Sequence, residues 1–193
     1  MKNKLLVAVF ILTFFSCEPI GLPEITEEGK NTFGMLVNGE VWKRYYEISL
    51  MTWGTRNLKV KYNSSTSDLS IQVYSSDLND FVRFYFSDIV GTGDYFFDCV
   101  DDKLSCIVES EGYFDCDNDA YFLCSTMFQR NQNTYNPEDF FLLLNKNESN
   151  LHLTKLDTIN KIISGTFSVN LYNCKGKMLE ITNGRFDARY NIY

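Results

Sequence analysis

Histidine occurs once in this 193-residue chain, tryptophan twice and proline three times. The single histidine removes whole classes of chemistry. A Ser–His or Cys–His nucleophile would have to use His152, which alternates with Leu151 and Leu153 on what reads as the polar face of a strand. No G-x-S-x-G motif accompanies it. A zinc site would need more nitrogen ligands or a Cys-x-x-Cys pair, and the chain has neither. Phosphate-cradling glycine loops are missing too, since Gly91-Thr92-Gly93 opens no helical pattern. No cofactor is implied. Basic residues are the minority, 18 against 25 acidic ones, which argues against nucleic acid and against a polybasic grip on anionic lipid. The longest apolar run covers residues 5–15 and is broken only by Thr13. It falls short of the roughly 18 residues a spanning helix needs.

That short run has a specific setting. Lys2 and Lys4 precede it, and Phe14-Phe15-Ser16-Cys17 follows. A charged start, an apolar centre and a small residue before cysteine form a signal peptide over residues 1–16. The end resembles a lipobox, in which the Cys17 thiol receives diacylglycerol, the chain is cut before Cys17, and the new amino group takes a fatty acyl chain such as palmitate. Three chains, at about 0.8 kcal/mol per buried CH₂, hold a protein on a membrane far more firmly than one. Cleavage leaves 177 residues with 16 basic and 25 acidic side chains, a net charge of −9. Residues 17–31 then read as a lipidated cysteine and flexible tether. Pro19, Pro23, Gly21, Gly29 and four glutamates lie there without apolar periodicity. At about 3.3 Å per residue, such a tether would let the domain stand roughly 45 Å from its anchor. The expected location is the outer membrane. Only Glu18 follows the cysteine directly, so periplasmic and surface-facing positions both stay open.

Residues 32–193 read as one all-β domain. Thr32–Val37, Asn38-Gly39 and residues 40–44 form a hairpin signal, because Asn-Gly supplies the positive φ angles of a type I′ turn. Leu58, Val60 and Tyr62 alternate with lysines, and Leu69, Ile71 and Val73 with polar residues. Residues 81–86 carry bulky groups on both faces, and residues 140–144 form a continuous apolar run suited to a central strand. Near the end, residues 157–160 and 173–177 read as turns, and Asn183-Gly184 as another. Short strands joined by short turns predict antiparallel pairing, in either a β-sandwich or an up-and-down, lipocalin-like barrel. Gly34 and Gly165, inside strands, mark bulges or close backbone approaches. Arg185 and Asp187, on the face opposite Phe186, suit an Arg–carboxylate contact across neighbouring strands.

The two ends of the domain carry a resemblance. The opening Thr32-Phe33-Gly34-Met35-Leu36-Val37-Asn38-Gly39-Glu40-Val41-Trp42 and the closing Ile181-Thr182-Asn183-Gly184-Arg185-Phe186-Asp187 frame it, with Leu153-Thr154-Lys155-Leu156-Asp157 and Ile162-Ile163-Ser164-Gly165-Thr166-Phe167 between them. Together they resemble a family of Bacteroidota lipoproteins known only as a domain of unknown function. The resemblance spans residues 20–193 and is dense only at the ends. It implies a cell-envelope location and an all-β domain, and it implies no activity.

Five cysteines remain besides Cys17. An exported chain can form disulfides, and two bridges among five cysteines allow fifteen pairings. Turn spacing suggests Cys99 opposite Cys106 and Cys116 opposite Cys124, which leaves Cys174 over. Asp115, Asp117 and Asp119 begin like a calcium loop, but Ala120 and Thr126 stand where glycine and glutamate are required. Aromatics make up 16% of the chain and come in adjacent pairs through its middle. Neighbours in a strand point to opposite faces, so Trp53, Tyr95, Tyr113 and Tyr121 are candidates to face a ligand. The expected function is therefore non-enzymatic: a membrane-anchored binding or accessory domain for a glycan, an apolar ligand or an envelope protein. A purely structural interaction protein, or a hydrolase using paired carboxylates, is the alternative.

Overall fold

The alternating apolar residues do become strands. A computed structural model of the chain describes residues 21–43, 58–75, 79–97, 126–131, 136–144 and 146–192. The described residues form β1 (Thr32–Val37), β2 (Glu40–Lys43), β3 (Leu58–Asn63), β4 (Asp68–Ser75), β5 (Asp80–Phe86), β6 (Gly93–Tyr95), β7 (Met127–Gln129), β8 (Phe140–Leu142), β9 (Ser149–Asp157), β10 (Ile162–Tyr172), β11 (Met178–Arg189) and β12 (Asn191–Ile192). Among the described residues no helix is long and apolar enough to cross a membrane.

The strands join one sheet in the order β12-β3-β4-β5-β7-β8-β10-β11-β1-β2, with β9 on β10 and β6 on β9. Every pairing is antiparallel except β12 with β3. The fold is all-β, as its alternation predicts, and takes the barrel-like rather than the two-sheet form. The sheet curls until distant strands meet through their side chains. Phe33 of β1 lies 6.3 Å from Phe84 of β5, and Phe84 lies 5.0 Å from Phe167 of β10 (ring centroids). Phe97 packs edge-on against Phe84, and Trp42 against Phe128. The inside of the curl is filled by these rings and by the aliphatic residues around them.

The bulky run in β5 and the apolar run in β8 are buried on both faces. Val82, Phe84, Phe128 and Phe141 join the main core, while Phe81, Met127, Phe140 and Leu142 form a second buried cluster with Cys174. That arrangement is why these stretches lack a polar face.

The first Asn-Gly is the predicted hairpin turn, with Asn38 and Gly39 at φ 51° and 81° between β1 and β2. The second is not a turn. β11 runs unbroken through Asn183-Gly184, and there the chain bulges: two steps along β10, Phe167 to Val169, face three along β11, Gly184 to Ile181. Asn183 takes the left-handed conformation at φ 50°. Asn-Gly specifies positive φ, which a bulge uses as readily as a hairpin. Gly165 lies beside another register shift, and a Cβ there would come within 2.7 Å of the His152 carbonyl oxygen. The turn at residues 157–160 is present: the Asp157 carboxylate accepts from the Ile159 and Asn160 amides at 3.0 and 2.8 Å. Strands β6, β7 and β12 have only two or three residues, too few to show a period.

Gly184 packs under the Phe167 ring, where a Cβ would overlap the ring carbons. Phe167 is itself held in the aromatic core, so it has little room to retreat. Gly184→Ala should therefore lower unfolding free energy by about 1–3 kcal/mol, read as a reduced urea midpoint with an unchanged slope.

Candidate functional site

Two features stand out on the outside of the curl. The first involves the N-terminal segment, expected to be a structureless tether. That expectation is corrected for residues 21–31, which dock across the outer face of β1 and β11. Asp187, only 1% exposed, is the centre of the contact. Its Oδ2 accepts from Thr26 Oγ1 at 2.6 Å, from the Glu28 amide at 3.1 Å and from the Lys30 amide at 3.0 Å. Its Oδ1 accepts from the Gly29 amide at 2.7 Å and from Ser164 Oγ at 2.8 Å. Gly29, at φ 71°, lets three consecutive amides converge on one carboxylate, a nest built for an anion. Arg185 Nη1 donates to the Pro23 carbonyl at 3.2 Å, and Lys155 Nζ to that of Glu27 at 2.9 Å. The Arg189 amide donates to Asn31 Oδ1. Pro23 sits where a Cβ on Gly34 would be, 2.5 Å from its Cδ. The close approach expected at Gly34 is thus made by the segment itself. Arg185 and Asp187 share a face as expected, and both hold this strap.

Burial opposes the charge on Asp187, but the hydrogen bonds from Thr26, Lys30, Ser164 and Gly29 outweigh it and hold the carboxyl below its usual range. A carboxyl lowered in the folded state adds stability that is complete above its ordinary value of about 3.9 and fades as pH falls through the folded value. Asp187→Asn should cost about 3 kcal/mol at neutral pH, since a carboxylate acceptor for five donors is lost. The gap between wild type and variant should close as pH drops below about 3.9. Urea unfolding across a pH series measures both.

The second feature is a cleft of about 380 Å³ beside the β1–β2 hairpin. Val37, Val41, Trp42 and Phe128 form its apolar wall, and Glu40, Asp80, Arg130, Asn131 and Asp139 its polar side. Asp80 is a fixed member: Trp42 Nε1 donates to its Oδ2 at 3.1 Å and the Asn131 amide to its Oδ1 at 3.1 Å. The Arg130 guanidinium lies 6.0 Å from the centre of the Phe141 ring. Trp42 is 3% exposed, so its face serves the core rather than a ligand.

The residues singled out from the sequence fare differently. Tyr95 is half-buried, packs against the core, and exchanges hydrogen bonds with the Gly91 backbone at 2.9 and 3.2 Å. Its ring is therefore turned to the core, and its neighbour Phe96 is 56% exposed to solvent. Trp53, Tyr113 and Tyr121 lie outside the described residues, as do Cys17, Asp115, Asp117 and Asp119. Cys99, Cys106, Cys116 and Cys124 lie outside them too. Cys174, the cysteine left over by the turn spacing, is buried in the second cluster with Phe140 and Leu142. Among the described residues no group of three His, Cys, Asp or Glu side chains could hold a metal. His152 is exposed on β9, as read, and its Nδ1 lies 2.7 Å from Asp94 Oδ1 on β6. Both side chains are more than half exposed, so the pair has no water-excluded pocket in which to act.

Sequence reasoning missed Asp80, Asp94 and the role of Asp187. A carboxylate set directly between the apolar Phe186 and Ala188 was the available signal for Asp187. Comparison with family models, with curated proteins and with solved structures finds no match to this chain.

Proposed function

We propose that the chain is an exported lipoprotein, acylated on Cys17, whose β domain is a non-enzymatic binding domain of the cell envelope. The anchor rests on the order of parts at the N-terminus: two lysines, the apolar run of residues 5–15, Ser16 and Cys17. The resemblance of the domain's two ends to Bacteroidota lipoproteins agrees with it. Binding rests on one observation, the cleft beside the β1–β2 hairpin, where fixed polar groups meet an apolar wall.

A glycan suits this cleft better than an apolar ligand. The space inside the curl is taken by aromatic side chains, and the cleft carries carboxylates, a guanidinium and an amide that can pair with vicinal hydroxyls. A screen of envelope glycan fragments should raise the melting temperature of the protein, and Arg130→Ala should abolish that rise while leaving the melting temperature of the free protein within a few degrees. A screen with no shift from any fragment would remove the binding reading. For the anchor, Cys17→Ser should abolish incorporation of labelled palmitate and move the protein out of the membrane fraction. A variant that stays with membranes in unchanged amount would defeat it.

A second reading draws on Glu40, Asp80 and Asp139 lining one cleft, since paired carboxylates cleave glycosidic bonds. Asp80 is committed to Trp42 and Asn131, which leaves Glu40 and Asp139 for that chemistry. Release of new reducing ends by wild type and its loss in Glu40→Gln or Asp139→Asn would favour this reading over simple binding.

A further inference from the structure

We infer that a second ligand site lies on the outer face of β9, β10 and β11 and takes an acidic sugar, a pyranose that bears a carboxylate. The site is separate from the cleft beside the β1–β2 hairpin and does not depend on the Cys17 anchor. It is a groove of about 320 Å³, within the range of small-ligand pockets. Three adjacent strands supply its polar side chains. Asn150 of β9 stands opposite Ser168 of β10, and Thr166 of β10 stands opposite Arg185 of β11. Asn183 joins them from the bulge, where its left-handed backbone re-aims the side chain. Strands about 4.8 Å apart make this row roughly 10 Å wide, enough to seat a sugar ring.

The chemistry of the lining selects the ligand. All five polar side chains can donate a hydrogen bond, and no carboxylate lines the groove, whereas Glu40, Asp80 and Asp139 line the cleft. Arg185 carries the one charge among the groove's residues and is 7% exposed. The Pro23 carbonyl accepts from its Nη1 at 3.2 Å, so the guanidinium is oriented before any ligand arrives. An oxyanion is the group such a guanidinium holds best. The amides of Asn150 and Asn183 and the hydroxyls of Thr166 and Ser168 both donate and accept, which suits the hydroxyls of a sugar. Asp187, two residues further along β11, would oppose an anion, but five donors already surround its carboxylate. Ile25 of the strap, 53% exposed, also lines the groove and offers apolar surface to the C–H face of the ring.

Titrating the purified protein with glucuronate or galacturonate, followed by NMR, tests this residue by residue. Either uronate should shift the side-chain amide signals of Asn150 and Asn183, and should bind about tenfold or more tightly than glucose or galactose. Arg185→Gln should weaken uronate binding about tenfold or more, but it also loosens the strap. Two milder variants therefore accompany it. Asn183→Gly deletes the side chain and keeps the positive φ, and Asn150→Ala alters an exposed position; each should weaken binding about threefold to tenfold. Arg130→Ala, in the cleft, should leave uronate binding unchanged. Neutral sugars that bind as tightly as the uronates overturn the acidic ligand. Inorganic phosphate that binds as tightly makes this a bare anion site and overturns the sugar. Shifts confined to the cleft and lost in Arg130→Ala overturn the second site and support the cleft. Uronates that shift no signal overturn the inference and leave the cleft reading standing.

Discussion

One buried carboxylate decides how the domain relates to the chain that precedes it. Asp187 would be costly inside the protein without partners. It recovers that cost by collecting five donors, three of them consecutive amides of a segment more than 150 residues away in sequence. The dependence is mutual. Without the strap, Asp187 and Arg185 would stand on a solvated sheet face, and Gly34 would border empty space. Without Asp187, the amides of residues 28–30 would lose their common acceptor. A stretch with the composition of a linker becomes part of the fold because a single anion organises it.

The curled sheet sets a second constraint. Curling brings large aromatic side chains from β1, β5 and β10 to one point, and among the described residues their rings fill the space between these strands. The cleft beside the β1–β2 hairpin lies outside that core, and there Trp42 and Asp80 share a hydrogen bond between sequence-distant strands, which fixes part of the polar rim to the core beneath it. Asp80 is thus held on β5 rather than on a loop, the arrangement that favours a preformed site.

Much of the fold was legible in the chain because strands declare themselves by alternation. β1, β3, β4 and β9 to β11 lie where apolar residues recur every second position, and the Asn38-Gly39 turn lies where glycine and asparagine demand it. The failures share one physical cause: contacts between sequence-distant groups leave no local period. Asn183-Gly184 states a backbone conformation without saying whether the chain reverses or bulges, and only its partners on β1 and β10 decide that. The strap shows no apolar pattern because it is held largely through backbone amides, which every residue but proline possesses. Tyr95 looks free in the sequence and is tied down by Gly91, four residues earlier, through a turn that composition does not reveal. Asp80 and Asp94 are unremarkable acids until β2 and β9 bring Trp42 and His152 beside them.

The strap and the cleft also bear on each other. Val41 belongs to both: one side of it borders Gly21, where the docked strap begins, and it forms part of the cleft wall with Trp42 and Phe128. In the anchored reading, the cleft therefore opens within a short distance of the bilayer. The long free tether read from composition would have favoured the opposite, a domain sampling ligands tens of ångströms away. Asp187 is the residue that separates the two cases, since its five hydrogen bonds convert a long reach into a short one.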